Sequence, residues 1–138
     1  MRADDNQFIT EVYDVRKLFR GDWYTIMLDL LSHGPRRPAE LHRAAGTWAL
    51  RDRWAQTTRR AGHAQIVETL NALVATGLVQ RRELTGGFHR AVQYSLTVEG
   101  EECLAALDHL RHWLRRHPSV LKRAVHHYHQ TRSRNHPP

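Results

Sequence analysis

The chain has 138 residues with 21 Lys and Arg against 14 Asp and Glu, a formal net charge of +7 when its 11 histidines are neutral. This length suits one modest domain, and the positive charge favours a polyanionic partner such as nucleic acid. The single cysteine, Cys103, excludes an internal disulfide framework and a four-cysteine zinc site.

Two helices are predicted in the first third of the chain, after a helical arm over residues 1–20. The first follows Gly21, with Asp22 as its N-cap, and ends at Gly34-Pro35. Pro38 suits the first turn of the second helix, which is about two turns long. Apolar residues recur at helical spacing in both: Trp23, Ile26, Met27, Leu30 and Leu31 in the first, and Leu41, Ala44 and Ala45 in the second.

A third helix is predicted to close at Gly77. Ile66, Leu70, Leu73 and Val74 form its apolar face, and the opposite face is polar and small.

The segment from Thr47 to Ala61 separates the second and third helices. It is an insertion, because a helix-turn-helix turn needs only about 3 or 4 residues. The spacing of Trp48, Arg51 and Ala55 is compatible with an extra helix. Two interpretations stay open: a solvated elbow whose tryptophans fold back on the core, and a basic, aromatic element that contacts DNA or an effector.

After Gly77 the hydrophobic period changes from helical to alternating, which predicts a β-hairpin. Leu78 and Val79 begin one strand, and Gly86 and Gly87 at the tip allow a close approach to a phosphate or groove. The return strand alternates Val92, Tyr94 and Leu96, and Thr97 then caps a new helix.

Two amphipathic helices are predicted at the C-terminal end, separated by His117-Pro118. Their apolar stripes exceed what a small core needs, which favours packing against a second copy of the chain; the alternative is a helical hairpin within one chain. The tail, residues 131–138, is predicted to be disordered. The stripes consist of Leu104, Leu107, Leu110 and Leu114 in the first helix, and of Val120, Leu121, Ala124, Val125 and Tyr128 in the second.

This order of elements resembles the HxlR family of winged helix-turn-helix transcriptional regulators, whose architecture MarR and PadR regulators share. The resemblance covers roughly Gly21 to Trp113. It implies a mainly α fold with a small β-hairpin wing, a DNA-binding domain over 21–97 and dimerisation helices over 98–130. The matching residues are Gly21-Asp22-Trp23, Gly34-Pro35-Arg36-Arg37, Ala39-Glu40-Leu41, Leu70-Asn71-Ala72-Leu73, Gly77-Leu78-Val79 and Tyr94 to Gly100.

For DNA, the resemblance implies that His63 to Thr76 forms the recognition helix in the major groove. Gln65 and Asn71 suit adenine, Glu68 suits cytosine and Ala64 suits a thymine methyl group; His63 completes this base-reading set. The expected phosphate and wing contacts are Arg36, Arg37, Arg59, Arg60, Arg81, Arg82, His89 and Arg90. The expected function is that of a sequence-specific repressor acting as a homodimer on double-stranded DNA.

The sequence departs from the family pattern at two places. The family usually has a tight turn between the second helix and the recognition helix, where this chain has the insertion. Phe8 to Arg20 lacks the cysteine that some relatives use as a redox or electrophile sensor. Cys103 lies on the apolar side of its helix beside Leu104 and Leu107, which indicates an inert, buried thiol.

The tryptophans suggest an effector site, because five aromatic residues give more aromatic surface than a small core requires. This pocket is predicted to lie between the dimerisation helices and the DNA-binding core; ordinary core packing is the alternative. The five residues are Trp23, Tyr24, Trp48, Trp54 and Trp113.

No cofactor or metal is predicted. His109 with His112, and His126, His127 and His129, have spacings that place imidazoles together, but a polar or pH-sensitive face explains them better than a metal site. No sequence signature supports catalysis, so the chain is expected not to be an enzyme. The alternative to DNA binding is a winged-helix protein-interaction module or antirepressor that binds a protein partner.

The chain is also expected to be cytoplasmic and to have no membrane partner. No run approaches the roughly 18 apolar residues that a membrane span needs, and Met1 to Asp5 is too polar for a signal peptide.

Overall fold

The structure, a computed structural model, describes residues 3–86 and 91–135. Over these ranges it contains six helices and two antiparallel β-hairpins. The helices are α1 (Ala3–Leu18), α2 (Tyr24–Ser32), α3 (Pro38–Thr47), α4 (His63–Ala75), α5 (Val98–Arg116) and α6 (Pro118–Asn135). The strands are β1 (Leu50–Asp52), β2 (Thr57–Arg59), β3 (Val79–Leu84) and β4 (Ala91–Leu96). This is the predicted winged helix-turn-helix, with β3 and β4 as its wing.

The core lies where α2, α3 and α4 meet the wing. The predicted apolar faces of these three helices are confirmed, because their central side chains are almost fully buried. Burying each large apolar side chain contributes about 1.5–3 kcal/mol to folding. The most deeply buried are Met27 and Leu28 on α2, Leu41 on α3, Ile66 and Leu73 on α4, and Val79 on β3.

Asp22 does not cap α2, so that prediction is wrong. The helix begins at Tyr24, and Trp23 occupies the N-cap position without a side-chain hydrogen bond. Asp22 instead accepts a hydrogen bond from Arg59, with 2.7 Å between its Oδ2 and the Arg59 Nη2. The Asp22 carboxylate therefore binds a charged side chain from a distant segment instead of the backbone amides at the start of α2.

The insertion between α3 and α4 forms a β-hairpin rather than an extra helix. The Asp52 carboxylate closes its turn by accepting hydrogen bonds from the backbone amides of Trp54 and Ala55, each at 3.0 Å. Gln56 completes the turn with φ at +56°, in the left-handed region. An Asp that binds amides two and three residues ahead favours a turn over a helix. We call β1, β2 and the turn 53–56 the inserted hairpin.

The wing pairs β3 with β4 in the register Val79↔Leu96 to Leu84↔Ala91. It gains a third backbone partner from the turn between α2 and α3. The Arg36 amide donates to the Tyr94 carbonyl at 2.9 Å, and the Tyr94 amide donates to the Arg36 carbonyl at 2.8 Å. These bonds fix the base of the wing against the helix-turn-helix. The predicted tip residues His89 and Arg90 lie outside the described residues.

The two C-terminal helices have the predicted boundary at His117-Pro118. Thr97 caps α5 as predicted, since its Oγ1 accepts a hydrogen bond from the Gly100 amide at 3.1 Å. The predicted disordered tail is corrected for residues 131–135, because α6 continues to Asn135; residues 136–138 lie outside the described ranges. Within the described part of the chain, no helix is both long and apolar enough to cross a bilayer.

The apolar stripe of α5 divides between two environments. Leu104 and Leu107 pack against the core of the same chain, so these two residues are not surplus, as the sequence suggested. Leu110 remains 62% exposed, and Trp113 is exposed one turn further along. Part of the predicted intermolecular surface is therefore used within the chain.

Candidate nucleic-acid interface

The five predicted base-reading residues all lie exposed on α4. His63, Ala64, Gln65, Glu68 and Asn71 face away from the core. The opposite face carries Ile66, Thr69, Leu70 and Leu73, all buried. Because these buried side chains anchor α4 to the core, its polar face is held outward, as a helix that enters a groove requires.

Two of the five residues have partners within the chain. The Gln65 Oε1 accepts a hydrogen bond from the Gly62 amide at 2.8 Å, which caps the start of α4. A Gln that pairs with adenine uses both ends of its amide, so capping competes with that role. Asn71, two turns further along α4, is the better candidate for adenine.

His63 stacks on His42 of α3, with ring centroids 4.3 Å apart and an angle of 15° between the planes. Burial, and then the neighbouring His63, lower the pKa of His42 below its usual range. The stack joins α3 and α4, the two helices of the helix-turn-helix, at the start of α4.

Six of the seven predicted phosphate-binding arginines lie among the described residues, and they fall into two groups. Arg36 pairs with Glu40 at 3.6 Å, Arg81 pairs with Glu83 at 3.5 Å, and Arg59 lies between two carboxylates. Among the described residues, no carboxylate forms a salt bridge with the remaining three, Arg37, Arg60 and Arg82. Because their charge is not neutralised by a neighbour, these three are the stronger phosphate candidates.

The two wing arginines lie on opposite faces of the wing. Successive side chains of a strand alternate between faces, and Arg81 is paired with buried Tyr94, whereas Arg82 is paired with Gln93. Arg81 therefore shares the face that turns toward the core, and Arg82 lies on the outer face. The two side chains therefore cannot both point toward the same stretch of DNA backbone.

The five aromatic residues predicted to line one pocket are separated. Trp23 is buried at the N-cap of α2, while the Trp113 ring stacks on that of His117 with centroids 5.0 Å apart. Tyr24 packs beside the core. Trp54 meets Tyr128 of α6 edge to face, with centroids 5.6 Å apart. Trp48 lines a cleft without the other four.

This cleft lies between α2 and α5 and has a volume of about 1190 Å³. Its walls are mainly apolar, and carboxylates from α2 and α5 stand among them. The apolar contributions include Ile26, Leu104, Leu107, Leu110 and Leu114, and the acidic ones are Asp29, Glu101 and Asp108. The basic Arg111 also lines the cleft, with its Nη2 2.7 Å from the Asp108 carboxylate.

Cys103 is half-buried, and burial raises the pKa of its thiol. A raised pKa lowers the fraction of reactive thiolate at neutral pH, as expected for an inert cysteine.

Two of the histidines predicted to cluster on the C-terminal helices have partners of their own. The His112 Nε2 lies 3.3 Å from the Asp108 carboxylate, and His129 contacts the inserted hairpin. Within the described ranges, no group of three or more His, Cys, Asp or Glu is placed to hold a metal ion. The sequence did not predict the role of His129, because no local pattern signals a contact between positions 75 residues apart.

Three solved structures share this fold. A transcriptional regulator of the MarR family from Enterococcus faecalis V583 is 24% identical, with a TM-score of 0.66, over 83% of this chain and 91% of that chain. The reduced form of the transcriptional regulator YodB from B. subtilis is 19% identical, with a TM-score of 0.60, over 75% and 88%. The redox regulator HypR in its reduced form is 20% identical, with a TM-score of 0.61, over 81% and 97%. No curated protein sequence matches the chain.

The family comparison covers most of the chain. A model of the HxlR-like helix-turn-helix family matches residues 18–121. This range includes α2 to α5, the inserted hairpin and the wing. The chain belongs to the HxlR-like helix-turn-helix family of DNA-binding transcription regulators.

Proposed function

We propose that this protein is a sequence-specific repressor that binds double-stranded DNA as a homodimer. The observation that carries the proposal is the exposed polar face of α4, whose opposite face is anchored by four buried side chains. Repression is the simplest outcome, because a protein bound across a promoter blocks access to it without any further contact.

In this proposal α4 enters the major groove, and Asn71 pairs with an adenine through both ends of its amide. Glu68 accepts from a cytosine amino group and Ala64 contacts a thymine methyl group. Arg37, Arg60 and Arg82 hold phosphates and set the register without reading sequence.

Asn71→Ala should separate base reading from phosphate binding. We expect specific affinity to fall by about 1–3 kcal/mol, because one bidentate base contact is lost. Affinity for non-specific DNA should be unchanged, because no phosphate contact is removed. Gel shifts on a selected operator and on unrelated DNA measure both affinities.

His33→Ala is the control, since it removes an exposed polar side chain at the end of α2, outside α4, the wing and the proposed dimer helices. It should leave both affinities unchanged. Equal specific affinity for wild type and Asn71→Ala would show that this face of α4 does not read bases, and a protein partner would then replace DNA as the target.

The homodimer is supported by exposed apolar side chains on the terminal helices. Phe8 is 68% and Ile9 62% exposed on α1, and Leu110 is exposed to the same degree on α5. Large apolar side chains gathered at a surface mark an association site. We propose that α1, α5 and α6 form the dimer interface, and that α1 contributes apolar surface beyond that predicted from the C-terminal stripes.

We further propose that the cleft between α2 and α5 takes an effector. Its apolar walls favour an aromatic or apolar molecule, and the carboxylates of Asp29 and Glu101 favour a positive charge on that molecule, since Asp108 is already paired with Arg111 at 2.7 Å. Because Trp48 lines the cleft, a bound cation of this class should change Trp48 fluorescence and DNA affinity together. Trp48→Phe should remove the fluorescence change, whereas Trp113→Phe should not. Indifference of both signals to a broad panel of such cations would overturn the effector proposal.

A further inference from the structure

The inserted hairpin is held at its tip by α6. The His129 Nε2 lies 2.8 Å from the Trp54 carbonyl oxygen and 3.2 Å from the Arg53 carbonyl oxygen. Because carbonyl oxygens only accept, Nε2 carries the hydrogen in these contacts. The edge-to-face contact of Trp54 with Tyr128 lies beside them, and the Arg132 Nη1 donates to the Tyr128 hydroxyl at 2.6 Å.

The other end of the hairpin is held by ion pairs. The Arg59 Nη2 lies 2.7 Å from the Asp22 carboxylate, just before α2, and 3.5 Å from that of Asp52. The same Asp52 side chain closes the hairpin turn through the Trp54 and Ala55 amides. One aspartate therefore connects the tip of the hairpin to the arginine at its base.

The hairpin leads directly into α4. Only Arg60 and Ala61 separate Arg59 from Gly62, the N-cap of that helix, and Ala61 packs beside the core. Because this connection is so short, we expect a displacement of β2 to move the first turn of α4 as well.

We propose that the inserted hairpin is a strut that transmits the position of α6 to the start of α4, with His129 and Arg59 as its positioning residues. A change in α6, on dimerisation or on binding of a partner, then alters how α4 presents its polar face. The consequence for DNA rests on the proposed function, whereas the mechanical coupling does not.

Amide hydrogen exchange on the full-length protein without DNA tests the coupling. His129→Leu removes the donor to both carbonyls. We expect faster exchange over residues 57–66, which include β2 and the first turn of α4, and unchanged exchange over α3. His129→Gln should restore slow exchange, since its amide can donate to two carbonyls. His126→Leu, an exposed histidine on the same helix, should have no effect.

Arg59→Ala should release the same segment from the opposite end. Combined with His129→Leu, it should add nothing further to exchange over residues 57–66, because a strut released at one end no longer transmits. Independent structural damage would instead give additive effects. Arg60→Ala is the neighbouring control. It should leave hydrogen exchange over residues 57–66 unchanged, and it should reduce the slope of log DNA affinity against log salt concentration by about 1.

For DNA, His129→Leu should weaken specific binding by about 2- to 30-fold, the range that residues along a coupling route produce. His129→Gln should recover it. Faster exchange confined to α6 and residues 53–56 would overturn the strut. Faster exchange over residues 57–66 in a protein that binds no DNA would uphold the strut and overturn the proposed function.

Discussion

Replacing Gly100 by alanine is expected to destabilise the protein by about 3 kcal/mol or more, beyond the usual range for inserting one methyl group into a packed site. Gly100 is buried in the first turn of α5. A Cβ built there would meet the Leu78 carbonyl oxygen far inside van der Waals contact, and its carbon at 3.1 Å. This backbone cannot move freely, because the Leu78 carbonyl also accepts a hydrogen bond from the Thr97 amide at 3.1 Å.

Thermal unfolding followed by circular dichroism measures the effect, and a midpoint lower by roughly 10 °C is expected for a chain of this size. Gly46→Ala is the matched control. A Cβ at Gly46, near the end of α3, meets no atom within 4 Å. Alanine should stabilise that helix, by up to about 1 kcal/mol. A Gly100→Ala protein as stable as the wild type would show that α5 can shift away from the wing.

Inserting about half a helical turn of DNA, roughly five base pairs, between the half-sites of a selected operator is expected to abolish tight binding. The proposed homodimer would present two copies of α4 spaced by about one helical turn, roughly 34 Å, and the insertion rotates one half-site to the opposite side of the duplex. Affinity should fall toward that for non-specific DNA, a loss of about 1,000-fold or more.

Inserting a full turn is the control for this experiment, since it returns the two half-sites to the same side of the duplex. Sedimentation of the protein alone at micromolar concentration should show a dimer. Leu110→Glu, placed at an exposed apolar position of α5, should shift the protein toward monomer. Binding that is insensitive to spacing, together with a monomer of ordered helices, would contradict the homodimer.

The inserted hairpin depends on contacts between residues that are distant in sequence. Trp48, Arg51 and Ala55 suggested a helix because their spacing matches one, yet the Asp52 carboxylate and the left-handed Gln56 close a turn between them. The basic and aromatic residues also have different partners from those expected: Arg59 joins two carboxylates and Trp54 joins α6. Because Asp22 and Tyr128 are distant in sequence from the hairpin, no local sequence pattern indicates these contacts.

The sequence by itself determined the order of the helices, the wing, the helix start at Thr97 and the family. The helices, the wing and the helix start rest on hydrophobic periodicity and on capping and turn residues, which act between neighbours along the chain. The family rests on the resemblance of their motifs. The tertiary structure alone decided that Asp22 pairs with Arg59 instead of capping α2. It also decided that Leu104 and Leu107 pack against the core, and that His129 binds the inserted hairpin. Each of these outcomes depends on which distant group comes close enough to compete with a local partner, and only the packed chain determines that distance.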